Sequence, residues 1–178
     1  MTDFKYYNET ERLIVRSAEP RDAAALAIGR SCGFVKRYNL YRDCGEEQML
    51  LELENYDNVV LERKDNGAVI GCISIREDDF RYRTDALLLQ AWLSEDTAYR
   101  GYMREAIVPL MEYLFENYTC RISARAFSEN SPSIALLKKL GFVSEGYLRD
   151  ALVNDNGKTF DVCLYTMSKK EFSDFYKK

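Results

Sequence analysis

Residues 85–118 read DALLLQAWLSEDTAYRGYMREAIVPLMEYLFENY and combine two different periodicities. The first ten residues, Asp85–Ser94, form a nearly continuous apolar run, which is typical of a strand buried on both faces of a sheet. After Gly101 the apolar residues recur at intervals of three and four, which is the pattern of an amphipathic helix. The stretch therefore predicts a strand, a glycine turn and a helix, in that order.

The sequence on either side of this stretch predicts further strands and helices. Strands are predicted at Arg12–Arg16, Asn58–Arg63, Ala68–Ile75, Thr119–Phe127, Phe142–Arg149 and Lys158–Met167. Helices are predicted from Pro20 onward, at Glu46–Tyr56, at Ser133–Leu140 with Ser131 as N-cap, and as a short frayed helix in the tail 169–178. The order β-α-α-β-β-β-α-β-α-β-β predicts an α/β fold, a mixed sheet with helices on both faces.

The composition bounds the class of protein. A chain of 178 residues predicts a single domain spanning residues 1–178. Five cysteines, odd in number and without a CxxC pair, fit reduced thiols in a cytoplasmic protein. No apolar run reaches the ~18 residues that a membrane span requires, so no membrane partner is expected. The polar N-terminal stretch is unlike a signal peptide.

Charge and the absence of one residue type exclude several chemistries. The chain contains no histidine, which excludes Ser-His-Asp and Cys-His catalysis and histidine metal sites, so no metal is expected. Its net charge of −4 creates no global field that attracts nucleic acid, and no nucleic-acid partner is expected. Acid–base chemistry must come from carboxylates, Tyr, Lys, Cys, water or the substrate.

The glycine turn at residue 101 has the pattern of an anion site. Free N–H groups at the start of a helix point toward a ligand, and the helix dipole favours negative charge there. Arg100 and Arg104 flank the turn and would add direct positive charge. The same pattern also fits ordinary packing of a strand against a helix.

Five segments, taken in order, identify a family. They are TERLIVR at Thr10–Arg16, WLSEDTAYRGYMREA at Trp92–Ala106, NSPSIALLKKLGF at Asn130–Phe142, EGYLRD at Glu145–Asp150 and NGKTFDVCLY at Asn156–Tyr165. In this order they resemble the GCN5-related N-acetyltransferase (GNAT) superfamily. More narrowly, they resemble its RimJ/RimL-like branch of ribosomal-protein N-terminal acetyltransferases and their small-molecule relatives. The resemblance runs from about residue 10 to residue 167.

The resemblance implies a fold and a co-substrate. The fold is a mostly antiparallel twisted sheet flanked by helices, with a V-shaped splay between the strands at Asp85–Ser94 and Thr119–Phe127. The activity is transfer of acetyl from acetyl-CoA to a primary amine of a protein N-terminus or a small molecule. The pantetheine arm would pair with open strand backbone, and the pyrophosphate would lie on the family pattern Q/R-x-x-G-x-G/A. The cofactor-binding residues so implied are Trp92, Leu93, Arg100, Gly101, Tyr102, Met103, Arg104, Asn130 and Ser133.

Some of these residues also fit a purely structural role in place of cofactor binding. Of the pyrophosphate pattern only Gly101 is matched, and Met103 also fits the first core position of the helix. By resemblance, Asn130 would hydrogen-bond the pantetheine arm, although a helix-cap role fits it as well. Ser133 would donate to the departing thiolate, or it would only bond to backbone in the first helical turn.

The sequence departs from the family at three acid–base positions. Leu137, Leu152 and the run of leucines at 87–89 stand where relatives carry a Tyr, a base or a Glu. Asp150 is the nearest carboxylate and the candidate base, unless it forms a structural salt bridge. Further polar candidates are Tyr102, Tyr147 and Tyr165. The leucines motivate an alternative function, a catalytically silent acyl-CoA-binding or regulatory module on the same fold. The N-x-x-S pattern at Asn130–Ser133 and Gly101 favour the enzyme.

The acceptor site is expected between the first two helices and the loops of the last strands. Phe34, Tyr38 and Tyr41, with Leu40, cluster in the sequence there and would form aromatic walls for an apolar amine or a peptide N-terminus. Core packing is the alternative role for these side chains. The assembly is expected to be a monomer or a homodimer.

Overall fold

The computed structural model describes residues 4–39, 43–154 and 157–177. The chain packs as two compact units. The first unit comprises the residues up to Arg76 together with Gln90–Leu110, and the second comprises Glu77–Leu89 together with the residues from Met111 onward. None of the helices in the described ranges has the length and apolarity to cross a bilayer.

The elements follow the predicted alternation of strands and helices. The strands are β1 (Tyr7–Glu9), β2 (Leu13–Ser17), β3 (Asp57–Arg63), β4 (Val69–Glu77), β5 (Ala86–Leu93), β6 (Arg121–Phe127), β7 (Val143–Val153) and β8 (Thr159–Ser168). The helices are α1 (Ala23–Ser31), α2 (Gly33–Asn39), α3 (Glu46–Asn55), α4 (Tyr102–Asn117), α5 (Ser131–Lys139) and α6 (Lys169–Tyr176), with short 3₁₀ turns at Pro20–Asp22 and Glu95–Thr97. The sequence did not predict β1 and α2.

The strands form an eight-stranded mixed sheet in the order β1-β2-β3-β4-β5-β6-β8-β7. Pairing is antiparallel from β1 to β4 and from β6 through β8 to β7, whereas β5 and β6 are parallel. The β5–β6 pairing ends at Leu89↔Ala124 although both strands continue, as the predicted splay requires. The predicted α/β fold with a mostly antiparallel sheet is therefore confirmed.

The core of the first unit forms between α1, α2, α3 and the strands beneath them. Leu26, Val60 and Trp92 are buried together in one apolar cluster. Gly29 lets α1 approach the indole, because a Cβ at this position would lie 2.3 Å from the Trp92 ring. A larger residue at Gly29 would therefore displace the side chain of β5 that fills this core.

The core of the second unit includes the C-terminal helix. Phe172 of α6 is buried and packs on Phe115, with ring centroids 5.2 Å apart. Ser168 and Glu171 form a capping box that satisfies backbone donors at the start of α6. The expectation of a frayed tail is therefore wrong, because a cap and a buried aromatic side chain fix this helix.

Candidate active site

The turn between β5 and α4 carries two residues in the left-handed backbone region. Tyr99 has φ 63° and Gly101 has φ 85°, with Arg100 between them. Glycine adopts this conformation freely, but tyrosine does so at a cost of about 1–3 kcal/mol, and residues held in this way cluster at functional sites. The sequence predicted the turn at Gly101, but it gave no indication that Tyr99 adopts a strained backbone conformation.

The same turn presents a row of backbone donors. Within the described part of the chain, the N–H groups of residues 99–104 have no hydrogen-bond acceptor. The first N–H that is satisfied is that of Glu105, which donates to the carbonyl oxygen of Gly101 at 3.1 Å. Because α4 runs for 16 residues beyond the turn, its dipole adds partial positive charge at these donors. The backbone therefore forms a concave site for an anion.

Two arginines bring full positive charge to this turn. Arg100 and Arg104 are exposed, and neither forms an ion pair with an acidic side chain in the described ranges. Most other arginines of the chain are paired with Asp or Glu, so these two guanidinium groups are available to a ligand. The backbone N–H groups of the turn and the positive charges of the two arginines together fit a pyrophosphate group.

The side chains of the remaining predicted residues of this unit pack against other parts of the protein. Tyr102 and Met103 are 8% and 6% exposed, so their side chains lie in the core, and the core alternative for Met103 applies. The Trp92 indole is also buried, and Leu93 lies beside Gly71. At Trp92 and Leu93 the side chains are therefore engaged in packing.

In the second unit, Asn130 and Ser133 lie at the start of α5. The Asn130 side chain accepts a hydrogen bond from the Ser133 N–H at 3.2 Å, so Asn130 is the N-cap. The prediction of Ser131 as the cap is wrong, since the more favourable cap geometry falls one residue earlier. The cap uses only the Asn130 carbonyl oxygen, and its NH₂ group remains a donor. The Ser133 hydroxyl has no hydrogen-bond partner among the described residues.

A family model now decides the classification. The acetyltransferase (GNAT) domain model matches residues 12–143, about three quarters of the chain. The chain belongs to the GNAT family of N-acetyltransferases. The matched range contains both the Gly101 turn and the Asn130–Ser133 segment. The predicted family and enzyme class are confirmed.

Relatives of this GNAT protein agree with the classification. It is 28% identical over 171 residues to the SPbeta prophage-derived uncharacterized N-acetyltransferase YokL of Bacillus subtilis (strain 168), covering 91% of this chain and 93% of YokL. Its fold is similar to a GNAT acetyltransferase from Bacillus anthracis, with a TM-score of 0.80, 22% identity and coverage of 93% and 99%. It is also similar to the ribosomal-protein-S5-alanine acetyltransferase from Vibrio fischeri, with a TM-score of 0.79, 24% identity and coverage of 96% and 99%. Both of these structures share its fold.

The leucines at the usual acid–base positions of GNAT enzymes have structural roles or are exposed. Leu88 and Leu137 are buried, at 6% exposure each, whereas Leu152 is 41% exposed on β7. Asp150 lies between Leu148 and Leu152, where the register of β7 against β8 shifts, and its φ is 48°. Its N–H donates to Asp161 at 2.7 Å, and its carboxylate forms no salt bridge with a described residue. The salt-bridge alternative for Asp150 is therefore not observed.

The predicted acceptor residues lie on or just after α2. Phe34 is half-buried and packs against the apolar core of the first unit, in line with its core alternative. Tyr38 is half-buried near the end of α2. Tyr41 and Leu40 lie outside the described residues.

The second unit contains an open cleft of about 480 Å³ that no sequence pattern predicted. Its lining includes Phe80, Arg81, Glu145, Leu164 and Thr166. The loop after β4 contributes Phe80 and Arg81. Arg81 pairs with Glu145, and Glu145 also accepts from Thr166 at 2.9 Å. The cleft therefore combines apolar surface with internally paired charges.

The lining of this cleft includes a buried aspartate, Asp78. Asp78 accepts hydrogen bonds from the Ser123 hydroxyl at 2.5 Å and from Arg125 at 2.7 Å. Burial alone would raise the pKa of Asp78, but these hydrogen bonds and that of the Phe80 N–H outweigh burial and lower its pKa. Arg125 also stacks on the Phe80 ring at 3.7 Å. Asp78 therefore remains ionised and fixes the shape of the loop.

Proposed function

We propose that this protein is an acetyl-CoA-dependent N-acetyltransferase that transfers acetyl to a primary amine by direct attack on the thioester. The observation that carries the proposal is the Gly101 turn, whose backbone N–H groups and flanking arginines, Arg100 and Arg104, have no acceptor or acidic partner among the described residues. A diphosphate carries the charge and acceptor oxygens that such a turn binds. We place the enzyme in the cytoplasm, as a monomer or a homodimer.

The residues that would hold acetyl-CoA are those that offer it hydrogen-bond donors or positive charge. Residues 99–104 offer backbone N–H groups to the pyrophosphate, while Arg100 and Arg104 add charge. The backbone of Trp92 and Leu93 would pair with the amides of the pantetheine arm. The free NH₂ group of Asn130 would donate to a pantetheine carbonyl while its oxygen continues to cap α5.

The chemistry requires little from the protein beyond positioning and one donor. Acetyl-CoA, when bound, supplies a thioester carbonyl that a neutral amine attacks as the C–S bond breaks. Holding the reactants together removes most of the entropic cost of a bimolecular step. The Ser133 hydroxyl would donate a hydrogen bond to the sulfur as its negative charge develops. The amine proton would leave through water, or to the Asp150 carboxylate if that residue acts as a base.

The acceptor is a primary amine on a protein N-terminus or a small molecule. Phe34, Tyr38 and Tyr41 remain candidate acceptor residues. The cleft of the second unit supports an acceptor that carries apolar surface beside polar groups, since Phe80 and Leu164 lie there with Arg81 and Glu145. The catalytically silent acyl-CoA-binding module is the alternative function, and nothing in the structure favours it.

The test of the proposal is the titration of charge variants of the turn with acetyl-CoA by calorimetry. Arg100→Gln and Arg104→Gln should each weaken binding about 5- to 20-fold, as expected for one charge-assisted contact. The control is Arg21→Gln, since Arg21 is an exposed arginine of the same unit that is already paired with Glu19. Binding by the wild type should weaken as salt is raised. Equal affinity in all variants would refute the proposed pyrophosphate site.

A further inference from the structure

Two of the segments that carry the family resemblance are joined in the structure. They are TERLIVR, which contains Thr10 and Arg12, and GYMREA, which contains Glu105. The Glu105 carboxylate accepts from the Arg12 N–H at 2.9 Å and from the Thr10 hydroxyl at 2.5 Å. Its second oxygen accepts from the Arg12 Nε at 2.7 Å. The N-terminal segment is therefore fixed to the first turn of α4.

Arg12 also contacts the anion-binding turn itself. Its Nη1 donates to the carbonyl oxygen of Arg100 at 3.1 Å, and its guanidinium lies 4.1 Å above the Tyr102 ring. One planar group thus reaches the carboxylate of Glu105, the backbone of the turn and the face of an aromatic ring. Only a guanidinium has the fixed fork of donors that this arrangement needs, and lysine does not.

The hydrogen bond from Arg12 to the Arg100 carbonyl also affects the Gly101 N–H. The Arg100 carbonyl and the Gly101 N–H belong to the same planar trans peptide, so they point in opposite directions. Because Arg12 holds the carbonyl, it also fixes the direction of the Gly101 N–H, away from the guanidinium. Donation to the carbonyl polarises the peptide and strengthens that N–H as a donor.

Arg12 also removes an electrostatic conflict from the turn. Glu105 places a carboxylate, 17% exposed, on the same helical turn that would receive a phosphate. Burial would raise the pKa of Glu105, but hydrogen bonds from Thr10 and Arg12 outweigh burial and keep its pKa below the ordinary value. The carboxylate is therefore ionised, and without the Arg12 charge it would repel an anion.

We propose that Arg12 is a positioning residue that aligns the Gly101 N–H and neutralises Glu105, so that the turn is preorganised for the diphosphate of the co-substrate. This inference rests on the proposed function, since it takes a CoA diphosphate as the ligand of the turn. Arg12 acts through Arg100, Gly101 and Glu105 and is not a catalytic residue.

The test compares Arg12→Lys with Lys64→Ala. Lys64 donates to the carbonyl oxygen of Thr10 at 2.7 Å, so it contacts the same N-terminal segment but not the turn. Arg12→Lys should weaken acetyl-CoA binding about 10-fold in calorimetry, the scale of a charge-assisted hydrogen bond. It should leave kcat/KM for S-acetylpantetheine, which lacks the diphosphate, within about 2-fold of the wild type, a margin far below a lost hydrogen bond. Lys64→Ala should change neither quantity.

A second measurement requires no ligand. In the free protein, the Gly101 amide resonance should shift in Arg12→Lys, and that of Gly67, in the β3–β4 turn, should not. If Arg12→Lys fails to fold, Glu105→Gln is measured instead, because it keeps the guanidinium and removes the charge of the carboxylate beside the turn. Acetyl-CoA should then bind at least as tightly as to the wild type, and weaker binding would overturn the inference. Wild-type affinity in Arg12→Lys with an unshifted Gly101 amide would overturn the inference. A wild type that binds no acetyl-CoA would instead overturn the proposed function.

Discussion

The side chain of Asn130 accepts a hydrogen bond from the backbone N–H of Ser133 at 3.2 Å, and this bond caps α5. The capping role at this helix start therefore belongs to Asn130. The hydroxyl of Ser133 is not needed to satisfy the backbone of the first turn. A substitution that removes this hydroxyl can thus test catalysis without removing the cap.

Ser133→Ala should reduce kcat by about 10- to 100-fold, because one hydrogen bond to a developing negative charge is lost. The KM for acetyl-CoA should change little, since the thiolate is absent from the ground state. The control is Ser131→Ala, an exposed serine in the same helical turn. Steady-state kinetics and melting temperatures of both variants provide the measurement. An unchanged kcat in Ser133→Ala would remove Ser133 from the mechanism.

Gly101→Ala should weaken acetyl-CoA binding by roughly 1–3 kcal/mol, comparable to the loss of hydrogen bonds from the turn. The reason is the φ of 85° at Gly101, which a residue with a Cβ adopts only with strain. Gly67 is a matched control, since its φ is 70° in a turn with open space around it. Gly67→Ala should lower stability to a similar extent and leave affinity unchanged, as calorimetry and thermal melts would show. Similar affinity in the two variants would contradict the assignment.

The pH dependence of turnover should follow the acceptor amine. Neither a histidine nor a carboxylate stands at the usual acid–base positions, where Leu137 and Leu152 are found. The logarithm of kcat/KM should therefore rise with pH until the amine is neutral and then level off. Acceptors of different amine pKa should shift the inflection accordingly. An inflection common to all acceptors, and abolished by Asp150→Asn, would identify a dedicated base instead.

Asp78→Asn should destabilise the protein by about 2–3 kcal/mol, because a buried carboxylate loses charge-assisted bonds to Ser123 and Arg125. The pKa of Asp78 is lowered by folding. Its contribution is therefore fully present above the unfolded-state pKa of about 3.9 and is lost as the pH falls through the lower folded-state value.

The control for Asp78 is its neighbour. Asp79 pairs with the same Arg125, but its side chain is 73% exposed, so Asp79→Asn should cost less than about 0.5 kcal/mol. Urea unfolding at pH 7 and at pH 3 measures both variants. The difference between wild type and Asp78→Asn should narrow at pH 3. Equal stability of the two variants at pH 7 would show that the buried cluster contributes no more than a surface pair.

Sequence periodicity predicted most of the fold because it reflects burial directly. The apolar run of β5 and the three-and-four spacing of α4 are found where they were predicted. The strand β1 was not predicted because it has only three residues, and α2 was not predicted because Gly33 stands at its first position. Short elements and helix starts depend on tertiary contacts more than on local pattern.

The candidate site was only partly predictable for a related reason. A glycine turn before a helix can be identified in a sequence, and Gly101 was found in this way. The link between Arg12 and Glu105 joins residues 93 positions apart, so no local pattern indicates it. The cleft near Asp78 and Arg125 likewise depends on how a loop folds over a strand, and charged loops have no periodicity that reveals such packing.

The measurement that tests the central claim most directly is acetyl transfer itself. The purified protein is incubated with acetyl-CoA and a panel of peptides and small primary amines, while thiol release and acceptor mass are both followed. Thiol release that depends on an acceptor, together with the mass gain of one acetyl group on that acceptor, is the predicted result. Tight binding of acetyl-CoA without thiol release or acetylated product from any acceptor would contradict the account and favour the silent acyl-CoA-binding module.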